Sequence, residues 1–77
     1  MDNCHGSMTL SYTLLEEGEV TILITDLLGR TLYKQSGYIT APGTYQQGFN
    51  ISKMAAGRYH LHIRSGNSSR TIPMVKL

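Results

Sequence analysis

Residues 19–33, EVTILITDLLGRTLY, constrain the fold more than any other stretch, because they read as one β-hairpin. Val20, Ile22 and Ile24 recur at a spacing of two and fall on one side of an extended strand, with Thr21, Leu23 and Thr25 on the other. β-Branched side chains dominate the run, which favours strand over helix. Asp26 can bond the backbone amides that follow it, and Gly29 can take the left-handed conformation that completes a loop built on a type I turn. The chain therefore reverses between them, and the second strand resumes at Arg30. Everything else reads as further sheet laid against this hairpin.

Upstream, Met8, Leu10, Tyr12 and Leu14 alternate with Thr9, Ser11 and Thr13, the pattern of a half-buried strand, and Leu15-Glu16-Glu17-Gly18 turns the chain toward the hairpin. Downstream, Thr31–Ser36 continues the second strand, and Gly37 predicts a bulge or bend before Tyr38-Ile39-Thr40. Ala41-Pro42-Gly43 breaks the pattern. Tyr45, Gln47, Phe49 and Ile51 then share a face of the next strand, and the amide of Gln47 on that face predicts a place near a sheet edge. Ile51–Gly57 is predicted to be a single helical or 3₁₀ turn crossing between sheets, capped by Ser52 and stopped by Gly57. Arg58–Arg64 alternates without a break: Tyr59, Leu61 and Ile63 point one way, Arg58, His60, His62 and Arg64 the other. Ser65–Ser68 is the last hairpin turn, and Ser69–Leu77 a closing strand whose Pro73 places it at an edge or a bulge.

Six or seven short strands with frequent turn signals predict an all-β fold, an immunoglobulin-like antiparallel β-sandwich, over residues 8–77. Residues 1–7 are polar and patternless and are read as a disordered linker or residual cloning sequence. The chain has 77 residues and one cysteine, Cys4, so no internal disulfide can staple it. A net charge of +2 is too weak and scattered for nucleic acid binding. No apolar run approaches the roughly 20 residues of a membrane span, and the first residues lack the pattern of a signal peptide.

Candidate chemistry is thin. Glu16 and Glu17 are adjacent in a turn, where their carboxylates point apart rather than at one substrate. His60 and His62, and Cys4 with His5, each offer two metal ligands with no third placed by sequence. No catalytic residue, metal or cofactor is expected, and the chain is not expected to be an enzyme. The stripe of Arg58, His60, His62 and Arg64 reads either as a solvated outer face or as a surface for an anionic partner, strongest below pH ~6.5 where both histidines charge.

A family resemblance rests on several short stretches in order: LSYTL at 10–14, VTILITDLLGRTLY at 20–33, PGTY at 42–45, FNIS at 49–52, Ala56-Gly57-Arg58-Tyr59, Gly66-Asn67 and a terminal PMVKL. With this spacing, nearly the whole chain from Thr9 onward resembles the C-terminal sorting domain of proteins exported by the type IX secretion system of the Bacteroidetes. The family usually opens with a Pro-Asn-Pro type stretch, where this chain has Asp2-Asn3-Cys4-His5.

The resemblance implies a secretion signal rather than a catalyst. The cargo it follows would fold in the periplasm, cross the outer membrane under its direction, and reach the cell surface or the medium. Outer-membrane secretion machinery is the implied partner, together with a sortase-like peptidase that removes the domain and joins the cargo to lipopolysaccharide. Gly57 and Tyr59 match the family's Gly-x-Tyr motif, and Met74, Val75 and Lys76 its C-terminal hydrophobic and basic motif. Both Gly57 and Tyr59 also have packing reasons to be present, as a backbone stop and a core aromatic. Unprotected edge strands leave room for a homodimer. Two other readings stand beside this one. The first is an immunoglobulin-like adhesion or carbohydrate-binding module using the neighbourhood of Tyr33, Tyr38 and Tyr45. The second is a flagellar hook-capping-like scaffold domain.

Overall fold

The computed structural model describes the backbone of residues 2–4 and the whole of residues 6–77. Its strands are β1 (Asp2–Cys4), β2 (Ser7–Leu14), β3 (Gly18–Asp26), β4 (Thr31–Ile39), β5 (Gly43–Asn50), β6 (Gly57–Ser65) and β7 (Ser68–Lys76). They build two unequal sheets, a five-stranded one in the order β1-β7-β6-β3-β4 and a two-stranded one of β2 and β5. Every pairing is antiparallel except that of β1 with β7. The expected all-β sandwich is present.

The period-two pattern of the sequence becomes the core. Val20, Ile22, Ile24, Tyr59, Leu61 and Met74 of the large sheet face Leu10, Leu14, Phe49 and Ile51, the last just beyond β5, and all are buried. Ile24, Leu61 and Met74 are sealed from solvent. Each such side chain contributes about 1.5–3 kcal/mol by leaving water, which matters in a small domain without a disulfide.

Several connections differ from expectation. The turn after β2 does not close a hairpin, because β2 pairs with β5, from Ser7↔Asn50 to Leu14↔Gly43, while β3 lies in the other sheet. Gly37 is no bulge: it sits in regular register opposite Val20. The irregularity falls instead between Ile24↔Tyr33 and Thr25↔Thr31, where Leu32 is the extra residue. It sits at the mouth of the reversal, one of the places where bulges end regular pairing. Residues 51–56 do cross between the sheets, but as one hydrogen-bonded turn, Met54 N donating to Ile51 O at 3.0 Å, with no helix. Its cap is Asn50, whose Oδ1 accepts from the amide and hydroxyl of Ser52 at 3.1 and 2.8 Å.

Part of the stretch read as a linker, residues 1–7, is strand: residues 2–4 form β1 and Ser7 opens β2. Asp2–Cys4 runs parallel to the end of β7, with Asp2 opposite Met74, Asn3 opposite Val75 and Cys4 opposite Lys76. Backbone pairing on an open edge needs no alternation of side chains, so a polar tripeptide can join a sheet without announcing it. Gly6 O then accepts from Ile51 N at 3.1 Å, and Ser7 already belongs to β2. Of the Cys4–His5 pair, His5 lies outside the described residues.

Gln47 does mark an edge, since β5 has only β2 beside it. Its Oε1 accepts from Gln35 Nε2 at 2.9 Å, and Gln35 Oε1 accepts from Tyr33 OH at 2.7 Å. This polar chain ties β4 of one sheet to β5 of the other.

Candidate recognition site

The two motifs singled out in the sequence are neighbours in space. On the antiparallel ladder of β6 and β7, Gly57 lies opposite Lys76, Arg58 opposite Val75 and Tyr59 opposite Met74. Alternation divides them by role. Tyr59 and Met74 point into the core, and the Tyr59 hydroxyl donates to Ala55 O in the preceding turn, so burying the ring leaves no polar atom unpaired. Arg58 and Val75 project from the outer face; Arg58 is exposed and Val75 half-buried. Gly57 has a φ of 154°, a backbone setting that side-chain-bearing residues rarely adopt.

The backbone edge of β7 is only partly open. β1 occupies it along Met74–Lys76, and the stretch Ser68–Pro73 has no strand on that side among the described residues. Pro73, which has no amide hydrogen to offer, stands exposed just before the point where β1 begins to pair, at Met74.

Arg58, His60, His62 and Arg64 do share the outer face of β6, with Thr25, Leu23 and Thr21 of β3 opposite His60, His62 and Arg64. Lys34 of β4 extends the row through Leu23. His62 is not a free ligand. Its Nε2 lies 2.9 Å from Thr25 Oγ1 and its Nδ1 3.0 Å from Thr71 Oγ1, so hydroxyls from both neighbouring strands hold the ring. Burial, then the charges of His60 and Arg64, push its pKa below the ordinary 6.5. The stripe therefore gains charge later on acidification than two free histidines would. Among the described residues no group of three His, Cys, Asp or Glu side chains is gathered to hold a metal.

Tyr33, Tyr38 and Tyr45 do not form one face. Tyr33 meets Phe49 edge-on at 5.0 Å, Tyr45 stacks on Tyr12 at 6.0 Å and donates to Ala41 O, and Tyr38 stands exposed opposite Glu19. An aromatic platform for a sugar needs coplanar, co-facing rings, and these three point into different environments.

The model of the secretion system C-terminal sorting domain matches residues 4–76. The chain belongs to that family. No curated protein matches it. A sorting domain of this family is a C-terminal signal for type IX secretion, which sends the protein carrying it to the cell surface or the medium and engages the secretion machinery. No helix among the described residues is long and apolar enough to cross a membrane.

The β3–β4 reversal of the sorting domain forms as expected but also holds two leucines turned to solvent that the sequence pattern did not single out. Asp26 opens the β3–β4 reversal and organises it: Oδ1 accepts from the amides of Leu28 and Arg30, both at 2.9 Å, and Oδ2 from Arg30 Nε at 2.7 Å. Gly29, at φ 85°, supplies the left-handed residue expected there, and its amide bonds Asp26 O at 3.1 Å. The turn so fixed presents Leu27 and Leu28 to solvent, 62% and 80% exposed. Two leucines where turn chemistry favours polar residues were the legible signal.

Proposed function

We propose that this sorting domain is a recognition element without catalysis of its own, read at the end of the large sheet where β6 starts and β7 finishes. The observation that carries the reading is the cross-strand register of Gly57 with Lys76 and Arg58 with Val75, which gathers two motifs that are separate in sequence into one patch around the end of the large sheet, Arg58 and Val75 on its outer face and Gly57 and Lys76 on the face of Tyr59 and Met74. The cargo folds in the periplasm, and the outer-membrane machinery engages this patch before the cargo crosses. A sortase-like peptidase then removes the domain and transfers the cargo to lipopolysaccharide. Family membership supports these later steps. The open flank of β4 supports self-pairing as a homodimer.

The test fuses a periplasm-directed fluorescent reporter ahead of residues 1–77 in a Bacteroidetes host with and without a working type IX system. Wild-type fusion is expected at the surface or in the medium only when the system works. The double variant Val75→Asp/Lys76→Glu, checked for folding by circular dichroism, is expected to stay in the periplasm. If the folded variant leaves the cell as efficiently as wild type, this patch is not what the machinery reads.

A further inference from the structure

Three of the large apolar side chains left exposed, Leu27, Leu28 and Leu32, come from one reversal, at one end of the large sheet. Between that reversal and the crossing turn at residues 53–56 lies an open groove of about 670 Å³, and Gly57, Arg58 and Tyr59 form part of its wall. Exposed leucines are ordinary when scattered. Here they are concentrated, and they are held out rigidly: the three bonds to the Asp26 carboxylate fix the backbone that carries Leu27 and Leu28. A rigid apolar surface loses little conformational entropy when it is covered.

The rim is cationic. Asp26 and Arg30 neutralise each other at 2.7 Å, while Lys53 and Arg58 make no ion pair among the described residues and no other carboxylate lines the groove. We propose that this groove is a second docking surface of the sorting domain, taking a segment of a partner protein in the secretion machinery that carries apolar side chains flanked by aspartate or glutamate. The inference rests on the sorting reading above; the groove adjoins the Val75–Lys76 patch and shares Gly57 and Arg58 with it, while Leu27, Leu28 and Lys53 belong to the groove alone. Concavity favours an inserted protein segment over a flat lipid surface, and the charge of the rim favours an acidic segment over a second copy of this cationic end.

The experiment uses the same reporter fusion. Leu27→Ser/Leu28→Ser and, separately, Lys53→Glu are compared with wild type and with Leu15→Ser, which removes a leucine 87% exposed outside the groove. All three variants are expected to keep the wild-type circular dichroism and thermal midpoint, because the changed side chains are exposed. The groove variants are expected to lose export by tenfold or more, with Leu15→Ser exported normally. Equal export of the groove variants and wild type overturns the proposal, as does an equal loss in Leu15→Ser. Purified domain is also spun with anionic phospholipid vesicles and run in sedimentation velocity. Vesicle binding or dimerisation that the Leu27→Ser/Leu28→Ser change abolishes would assign the groove to lipid or to self-association and overturn it. A wild-type fusion that is not exported counts against the sorting reading instead, so the two failures are distinct.

Discussion

Gly57, at the start of β6, lies directly opposite Lys76 near the end of β7. A Cβ at Gly57 would meet nothing within 4 Å, so a substitution there is strained by backbone conformation alone, at φ 154°. Gly57→Ala is expected to lower unfolding free energy by about 1–2 kcal/mol, the usual cost of an unfavourable φ. Urea denaturation measures it. An unchanged midpoint would mean that the fold does not need glycine here.

Met74 separates folding from recognition. Its side chain is 1% exposed between the sheets, so Met74→Ala should cost about 2–5 kcal/mol, much of what holds so small a domain together. Met74→Leu keeps the volume and should cost less than about 1.5 kcal/mol. Export should survive Met74→Leu and fail with Met74→Ala in step with the loss of folded protein. Deleting Pro73–Leu77 removes this core residue too, and would report unfolding as much as lost recognition.

Asp26 gives the hairpin an acid-sensitive hinge. The Arg30 amide holds its carboxylate below the ordinary 3.8 against a smaller opposing effect of burial, with help from the Arg30 guanidinium and the Leu28 amide. A depressed folded pKa stabilises the protein above the unfolded value, and the effect is lost as pH falls through the folded one. Wild type should therefore lose thermal midpoint below about pH 4, and Asp26→Asn should start lower at pH 7 and show a shallower acid slope.

His62 acts in a higher window. Its folded pKa lies below 6.5, so the unfolded chain takes up a proton first. The stability tied to its neutral form is complete above pH 6.5 and is lost as pH falls through the folded value. His60 and Arg64 on its own strand and the hydroxyls of Thr25 and Thr71 on the flanking strands are its surroundings. His62→Gln, which keeps hydrogen-bonding capacity without a titrating ring, should flatten the fall of the midpoint as pH drops below 6.5. An identical slope in the variant would place the sensitivity elsewhere.

Much of the architecture was written locally. The alternation of β3 and β6 announced both strands and their faces, and Asp26 with Gly29 announced the turn between β3 and β4. Pairing across the chain was less legible. The strand from Ser7 to Leu14 gives no sign that its neighbour is Gly43–Asn50 rather than the strand that follows it. β1 carries no periodicity because it is three residues long and bonds through its backbone. Gly37 signalled a bend that a regular register absorbed, while Leu32, an ordinary strand residue, took the bulge. At the site, alternation along Arg58–Arg64 foretold the core role of Tyr59, the core role of Met74 went unread, and only the register brings Gly57 and Arg58 to Lys76 and Val75. The leucine groove needed both, since its two walls lie in different parts of the chain.

The unequal division of the sheets has a kinetic meaning. Hairpins β3–β4 and β6–β7 close over short loops, whereas the small sheet must bring residues 7–14 to residues 43–50 across the whole first hairpin. The large sheet needs an equally distant joining, of residues 20–26 to residues 59–65. Loop-closure entropy places both joinings after the two hairpins. Until β2 and β5 cover Val20, Ile22, Ile24 and Leu61, the domain has no finished shape for another protein to hold.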